Sequence, residues 1–398
     1  MRLWQKIGWL ALLLAITTSP AWAQGDPNTF SCELTWQDHG ASDNLYQSLS
    51  NENEPFAVEP DWQGREVFRG NLVFDPPSAR NINAALVWDR IEQTLYVDLN
   101  QDGDLTNDPN GILKADNVNR YYQHFPAFVI AYTDERGTFR YGLKIDIYDY
   151  SGQANKQTNI RILSCYRGTM KLHGVPWQMT VTDRLQANVH SNSPFSLSPT
   201  ATTDERPEGY ATNQISSLAL PQSLYVEGHC YDLAFDFRST DQAFPSLWCT
   251  LTEKEIPLGQ LDIQGQFIEG LVLGNSNMLV LPPLTDHPVT VPIGNFSVQD
   301  LDLKVHPNKP TVSPRSTTDL QVHVKNDEQN VTTLGGPLTS SVSVERIGCI
   351  LRFNYELCGA GGERYNAQEI TDYDSQTTPT VTIYKGKLKL ASGSFEYG

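Results

Sequence analysis

The sequence of 398 residues predicts an all-β protein of two or three sandwich or barrel domains. Three segments alternate apolar with polar residues at the period of two that a half-buried strand requires, namely Phe139–Ile147, Tyr231–Phe237 and Leu351–Leu357. Past the first 23 residues, no segment places apolar residues at the i, i+3, i+4 and i+7 spacing of an amphipathic helix. With 10% aromatic residues, the chain can fill real cores.

The N-terminus has the three regions of a secretory signal peptide, residues 1–23. Arg2 and Lys6 precede an apolar run at 7–16, and Ala21-Trp22-Ala23 fits the small-residue pattern before a cleavage site. The alternative, an uncleaved anchor, has too short an apolar run to span a bilayer. We therefore expect an exported protein, periplasmic, extracellular or at the cell surface, whose mature chain has no membrane span.

The formal net charge of −17 bears on the partners of the protein. Such a surface repels a phosphate backbone, so nucleic acid is not an expected partner.

Hairpins are predicted in order along the chain, each from two strand-like runs joined by turn residues. The predicted pairs are 127–133 with 139–147, 170–172 with 177–181 through His173-Gly174, and 381–384 with 388–390 through Lys385-Gly386.

Two stretches rich in Ser, Asn, Thr and Pro predict linkers at 187–209 and 306–318. They separate an N-terminal β domain (24–186), a middle β domain (210–305) and a C-terminal immunoglobulin-like β domain (319–398). Alternatively, the middle and last pieces pack as one unit, since the composition of a linker does not prove that its flanks are independent.

The six cysteines suit an oxidising compartment, where an even count favours disulfides. They are Cys32, Cys165, Cys230, Cys249, Cys349 and Cys358. If Cys230 and Cys249 lie in one hairpin, they miss each other by about four residues. If Cys349 and Cys358 lie in one strand, they are too far apart to bond. No pairing is preferred, and without a CxxC motif no zinc knuckle or thioredoxin-type pair is indicated.

One segment has the pattern of an ion site. The strand Thr94–Val97 runs into Asp98-Leu-Asn-Gln-Asp-Gly-Asp-Leu-Thr-Asn-Asp108, which resembles the calcium loop of the EF-hand and dockerin-type families. Calcium takes six to eight oxygen ligands, which alternate residues of a tight turn can supply, and Gly103 allows the sharp bend at the sixth position. The resemblance implies a Ca²⁺ site with these ligands: Asp98, Asn100, Asp102, the backbone carbonyl of Asp104, Thr106 directly or through water, and Asp108.

The loop departs from the EF-hand in two ways. Pro109 stands at the twelfth position, so Asp108 would close the site, and a strand rather than a helix leads into it. We therefore expect calcium to staple this loop, that is, to stabilise its conformation, and not to open a pair of helices. The alternative is an acidic turn that binds nothing, in which four aspartates repel one another without compensation.

Other chemical motifs are weaker. The eight histidines form no HxH or HExxH spacing, so no catalytic zinc site is predicted. His229-Cys230 suggests a thiol nucleophile, but neighbouring strand residues point to opposite faces, which favours an ordinary strand. Gly359–Glu363 is interpreted as a glycine-rich turn. Tyr121, Tyr122, Trp177 and Trp248 belong either to a stacking platform for sugars or, as we prefer, to ordinary core or edge packing.

Three stretches, 95–106, 359–363 and 390–398, are similar to large secreted β-rich proteins of planctomycete-type bacteria. That resemblance implies export and calcium and carries no activity. The expected function is a non-enzymatic, calcium-stabilised envelope or extracellular binding or scaffold protein, with a glycan or an envelope protein as partner. The alternative is a secreted hydrolase acting on polysaccharide with carboxylates from distant strands.

Overall fold

The computed structural model describes residues 28–37, 43–74, 82–119, 121–150, 155–183, 185, 191–200, 214–238, 245–285, 287–305, 311–317, 320–326, 328–348, 350–365 and 380–394. Within these residues the chain forms strands and one 3-10 turn, Pro109–Gly111, without any α-helix. The all-β prediction is confirmed. The same part of the chain holds no helix with the length and apolarity needed to cross a membrane. The predicted signal peptide lies outside the described residues.

A ten-stranded antiparallel sheet contains most of the first third of the chain. Its strands, in chain order, are β2 (Asp43–Ser50), β3 (Val67–Phe74), β4 (Ile82–Asp89), β5 (Thr94–Val97), β6 (Ile112–Lys114), β7 (Asn117–Val118), β8 (Tyr122–His124), β9 (Phe128–Asp134), β10 (Gly137–Tyr148) and β11 (Asn155–Ile162). The spatial order is β6-β5-β4-β3-β2-β11-β10-β8-β7, with β9 pairing on β10. The predicted hairpin of 127–133 with 139–147 is the β9–β10 pair.

A twelve-stranded sheet follows. Its strands are β1 (Thr29–Gln37), β12 (Cys165–Leu172), β13 (Val175–Val181), β14 (Pro194–Pro199), β15 (Ile215–Ala219), β16 (Ser223–Val226), β17 (His229–Arg238), β18 (Ser246–Lys254), β20 (Ile268–Gly274), β21 (Met278–Val280), β23 (Gly294–Leu303) and β25 (Gln321–Val324). The spatial order is β15-β14-β13-β12-β1-β18-β17-β16-β21-β20-β23-β25. β1 joins the two halves, because its end pairs with β12 and its beginning with β18.

Three smaller sheets complete the described chain. One contains β19 (Leu258–Gln264), β22 (Val289–Pro292) and β26 (Gln329–Thr333); another contains β24 (Pro314–Ser316), β27 (Thr339–Ile347), β28 (Ile350–Cys358) and β29 (Arg364–Tyr365); the last pairs β30 (Thr380–Lys385) with β31 (Leu388–Ser394). The immunoglobulin-like character of 319–398 stays a prediction, as do the domain boundaries. The first predicted linker contains β14, which pairs with β13 and β15.

Alternation along the strands builds separate cores. In β10, Phe139, Tyr141, Leu143, Ile145 and Ile147 are all buried, as the period-two pattern predicts. They belong to the core of the ten-stranded sheet, together with the fully buried Trp88 and Phe125. The twelve-stranded sheet buries a second set of side chains, among them Trp177, Tyr231 and Phe195.

The cysteines are placed by strand register. Cys249 lies opposite Phe235, and Cys230 opposite Lys254, so these two thiols do not face each other, as predicted. Cys32 does lie directly opposite Cys249, and both are buried free thiols. Burial raises the pKa of Cys32 to about 11. Cys349 lies outside the described residues.

Candidate functional site: the Asp98–Asp108 loop and a His–Glu cluster

The loop predicted to bind calcium leaves the edge region of the ten-stranded sheet. β5 pairs with β4 on one side and β6 on the other, and its apolar side chains Leu95 and Val97 are buried. The ladder continues one step further, because the Asp98 N–H donates to the Ala85 carbonyl at 3.0 Å. Pairing within the sheet therefore positions Asp98 in the protein interior.

Asp98 organises the first half of the loop from a buried position, at 1% exposure. Its Oδ1 accepts the Asp102 N–H at 3.2 Å and its Oδ2 accepts the Gly103 N–H at 3.0 Å. Burial raises the pKa of this carboxyl, although the N–H groups of Gly103, Gln101 and Asp102 lower it in part. A buried carboxylate at the start of this turn favours the binding of a cation that reaches it.

The bend itself uses two residues with positive φ, Gln101 at 62° and Gly103 at 81°. Nothing lies within 4 Å of a Cβ built on Gly103, so only its backbone conformation favours glycine. The side chains of Asn100, Asp102 and Asn107 are hydrogen-bonded to one another: Asn100 Nδ2 lies 3.0 Å from Asp102 Oδ2, and Asn107 Nδ2 lies 2.7 Å from the same oxygen. Hydrogen bonds from the Asn107 side chain and the Asp104 backbone N–H lower the pKa of Asp102.

The second half of the loop is fixed to the core. Val58 and Asp104 form a parallel bridge, in which the Leu105 N–H donates to the Val58 carbonyl at 3.1 Å. Leu105 is 1% exposed and packs in a small cluster with Val67, Ala85 and Val87. This pairing explains why the loop holds its shape without a helix on either side.

Asp108, the residue before Pro109, folds back onto the start of the loop; its role as the closing ligand stays a prediction. Its Oδ2 accepts the Leu99 N–H at 2.9 Å, which brings the last acidic residue back over the first residues of the turn. The 3-10 turn that follows packs tightly, because a Cβ on Gly111 would lie 2.1 Å from the Val97 carbonyl oxygen. Thr106 bonds the Asp104 carboxylate through its N–H at 2.8 Å and through its hydroxyl.

The six predicted ligands therefore lie on one closed turn, with only oxygen donors to offer a cation. The side-chain oxygens of Asp98, Asn100 and Asp102 accept hydrogen bonds within the loop. The described residues contain one group of three His, Cys, Asp or Glu side chains whose ligand atoms all lie within 4.8 Å of one another. That group is not in the Asp98–Asp108 loop. Bound calcium would have to draw the Asn100, Asp102 and Asp104 side chains or carbonyls away from their present partners.

That other group comprises His173, His229 and Glu253, hereafter the His–Glu cluster. It cannot be recognised in the sequence, because the three residues have no ligand spacing and the fold alone brings them together. His173 is in the β12–β13 turn, His229 begins β17, and Glu253 is near the end of β18. The only local signals were the His173-Gly174 turn and the His229-Cys230 pair. Cys230 and Tyr231 pack in different cores, as expected for adjacent residues of a strand.

The aromatic-platform interpretation is wrong for Trp177, which is fully buried and donates its indole N–H to Glu227 at 3.2 Å. Trp248 lies beneath the guanidinium of Arg238, 4.4 Å from the ring centroid. Both tryptophans thus contribute to packing, the reading that the sequence favours.

The glycine-rich segment Gly359–Glu363 forms a turn in which the Gly362 N–H donates to the Gly359 carbonyl, as predicted.

When the chain is compared with known proteins, no family model, no curated protein and no solved structure matches it.

Proposed function

We propose that the chain is an exported, non-enzymatic protein of the envelope or the extracellular surface, in which Ca²⁺ staples the Asp98–Asp108 loop and exposed strands bind a glycan or an envelope protein. The observation that carries the proposal is the loop itself. It combines the calcium-loop residue pattern with a buried carboxylate at the first position, a bend at Gly103 and closure by Asp108.

The donor set suits a hard cation. Side-chain oxygens of Asp98, Asn100, Asp102 and Asp108, the Asp104 carbonyl and Thr106 would hold the ion, and all of them are oxygen donors, as calcium prefers. When bound, calcium would neutralise the acidic residues of the turn. The gain would appear as stability, because an ion that binds only the folded loop favours the folded state.

The surface of the C-terminal strands supports the binding part of the proposal. β27 is the end strand of its sheet, and all of its residues are exposed. The β27–β28 hairpin leaves Val344 and Ile350 56% and 69% exposed. In the part of the chain that the structure describes, β27 pairs on one side only, and an end strand with exposed apolar side chains allows another chain to add as a strand.

The calcium part is tested by thermal unfolding of the full chain in chelator and across a calcium titration. The variant is Asp102→Asn, since Asn keeps the acceptor that the Asp104 N–H uses at 2.8 Å and removes the charge. The unfolding temperature of the wild type is expected to rise with calcium, and that of Asp102→Asn to rise much less.

A matched control carries the same change of charge outside the loop, Asp262→Asn on β19. It should respond to calcium as the wild type does. A wild-type unfolding temperature that stays flat up to millimolar calcium would refute the calcium staple. An equal response in wild type and Asp102→Asn would place any calcium elsewhere on the molecule.

The binding part is tested by probing the same protein on an array of glycans and on immobilised envelope protein, with Val344→Ser and Ile350→Ser on the β27–β28 hairpin. Capture that these changes abolish supports binding through the exposed hairpin. Turnover of a polysaccharide without such capture would favour the hydrolase instead.

A further inference from the structure

The strand register of the twelve-stranded sheet brings the His–Glu cluster together. Glu253 lies directly opposite Tyr231 on the paired strands β18 and β17, so His229, two residues before Tyr231, lies diagonally beside it. His173 reaches the same place from the β12–β13 turn, where it has φ of 45°. Phe30 of β1 touches both the His173 and Tyr231 rings edge-on.

The ligand atoms are close together. His229 Nδ1 lies 2.6 Å from Glu253 Oε1, and His173 Nε2 lies 3.6 Å from Glu253 Oε2. In a tetrahedral site with metal–ligand bonds near 2.1 Å, neighbouring ligand atoms are about 3.4 Å apart. His173 and Glu253 are near this spacing, and one ligand atom from each of the three residues lies within 4.8 Å of the others. The three side chains are 25–38% exposed, so the cluster is open to solvent.

A second observation points to a ligand at this place. The Tyr231 side chain is fully buried, and its hydroxyl has no hydrogen-bond partner among the described residues. Its ring centroid lies 6.4 Å from those of both His173 and His229. Buried polar atoms are almost always bonded to protein, water or an ion, so an unpaired hydroxyl on a ring that neighbours two imidazoles indicates a missing partner.

Charge adds to the attraction. Glu227, in the β16–β17 turn, accepts the Trp177 indole N–H at 3.2 Å. It lies two residues before His229, and Glu253 Oε1 lies 2.6 Å from His229 Nδ1, so two carboxylates near this histidine would attract a cation.

We propose that His173, His229 and Glu253 bind a divalent transition-metal ion, with zinc as the best match, and that the Tyr231 hydroxyl bonds a water or the ion itself at the remaining position. Two imidazoles and one carboxylate with an open fourth position form an established donor set for zinc. Imidazole nitrogen is a poor ligand for calcium, so this site is chemically distinct from the Asp98–Asp108 loop and independent of its function.

Binding requires one movement. The two imidazole rings are stacked, with centroids 3.8 Å apart and planes 20° from parallel, whereas a shared metal needs their lone pairs to converge. His173 is the ring that turns, because it sits on a two-residue turn, whereas His229 is part of β17 and hydrogen-bonded to Glu253.

The test is zinc binding by the intact chain. The protein is freed of metal with chelator, dialysed to remove the chelator and incubated with zinc. Zinc per chain is then measured by elemental analysis after gel filtration. One zinc ion per chain is expected for the wild type. His229→Ala, Glu253→Gln and His173→Asn should lose it, and Asn is chosen because it tolerates the positive φ at 173. Tyr231→Phe should weaken binding about 10- to 100-fold, as loss of an outer-shell partner does.

The matched control is His323→Ala, which removes an exposed histidine of β25 bonded to Asn295 at 2.8 Å. It should keep one zinc per chain. Cobalt substitution gives a second readout, since visible bands of tetrahedral Co²⁺ should appear in the wild type and in His323→Ala and be absent from the three ligand variants. Circular dichroism in chelator checks that each variant folds. Absence of zinc from the folded wild type, or equal zinc content in the folded His229→Ala, overturns the proposal.

Discussion

The Asp98–Asp108 loop and the His–Glu cluster hold acidic or ligating side chains together in different ways. In the loop, neighbouring residues bond to one another: Asp98, Asn100, Asp102 and Asp108 each accept an N–H within ten residues. In the cluster, the residues come from three separate strands or turns. Its most distant members along the chain, His173 and Glu253, are 80 positions apart. The loop is a local structure attached to the core, whereas the cluster exists only where the sheet is complete.

This difference predicts how each site fails. A change that detaches the loop from the core should disturb calcium and leave zinc intact, because the loop depends on a few anchoring contacts. A change in the sheet that supports the cluster should act in the opposite way.

The largest effect is expected from Leu105→Ala. Leu105 is 1% exposed and anchors the loop against Val67, Ala85 and Val87. Truncation would leave a cavity, so the free energy of unfolding should fall by about 3 kcal/mol. Urea denaturation measures this, and zinc content should remain at the wild-type value. Ile91→Ala, at a residue 66% exposed, serves as control and should change stability by no more than about 0.5 kcal/mol. Equal losses in both variants would show that Leu105 is not an anchor.

Glu59 supports the segment that bridges the loop. Its carboxylate receives two bonds from Arg69 at 2.8 Å, and the Trp62 and Phe56 N–H groups at 2.6 and 2.8 Å. Burial raises the Glu59 pKa, but these bonds outweigh it, and the net pKa is lowered from its ordinary value of 4.5. The neighbouring Val58 forms the bridge to Asp104.

Glu59→Gln should therefore lower the free energy of unfolding by about 2 kcal/mol at neutral pH, because it leaves Arg69 without its partner charge. A lowered carboxyl pKa stabilises the folded state above the ordinary value, and this contribution is lost as the pH falls through the lowered pKa. The gap between variant and wild type should close below pH 4.5. Glu328→Gln, an exposed partner of Lys325, should show almost no gap at any pH. A gap that widens in acid would contradict the assignment.

Tyr231→Phe should have a smaller effect, of opposite sign. In chelator, removing a buried hydroxyl that lacks a partner should raise the free energy of unfolding by about 1 kcal/mol. Tyr225→Phe is the matched control, because the Tyr225 hydroxyl donates to the Thr290 carbonyl at 2.7 Å. That change should lower stability by about 1 kcal/mol. If both variants lose stability in chelator, the Tyr231 hydroxyl has a partner in the protein and the argument for the zinc site weakens.

The two regions also differ in what the sequence can reveal. Within Phe139–Ile147, the alternation of side chains follows from the pleat, so each strand predicts its own buried face and the hairpin that joins it to a neighbour. The Asp98–Asp108 loop could be proposed as a calcium site from the sequence for the same reason, since the candidate ligands of a turn are set by their spacing along the chain.

The His–Glu cluster depends on pairing that no segment specifies by itself. His229 faces Glu253 only because β17 and β18 pair in the register that sets Tyr231 opposite Glu253. The position of β1 likewise follows from contacts over more than 200 residues, with Cys32 opposite Cys249. Neither partner carries a local signal for the other, so the sequence analysis treated His173 and His229 as scattered.

The smallest expected effect is the coupling between the two sites. Asp102→Asn and His229→Ala lie on different sheets and adjoin different cores, so their effects on the free energy of unfolding should add within about 0.5 kcal/mol. The measurement is a double-mutant cycle, run once in chelator and once with calcium and zinc both present. Additivity in both conditions means that each ion stabilises its own sheet. A coupling that appears only with both ions would instead show that β1, which joins the halves of the twelve-stranded sheet, or the packing between the sheets transmits strain from one site to the other.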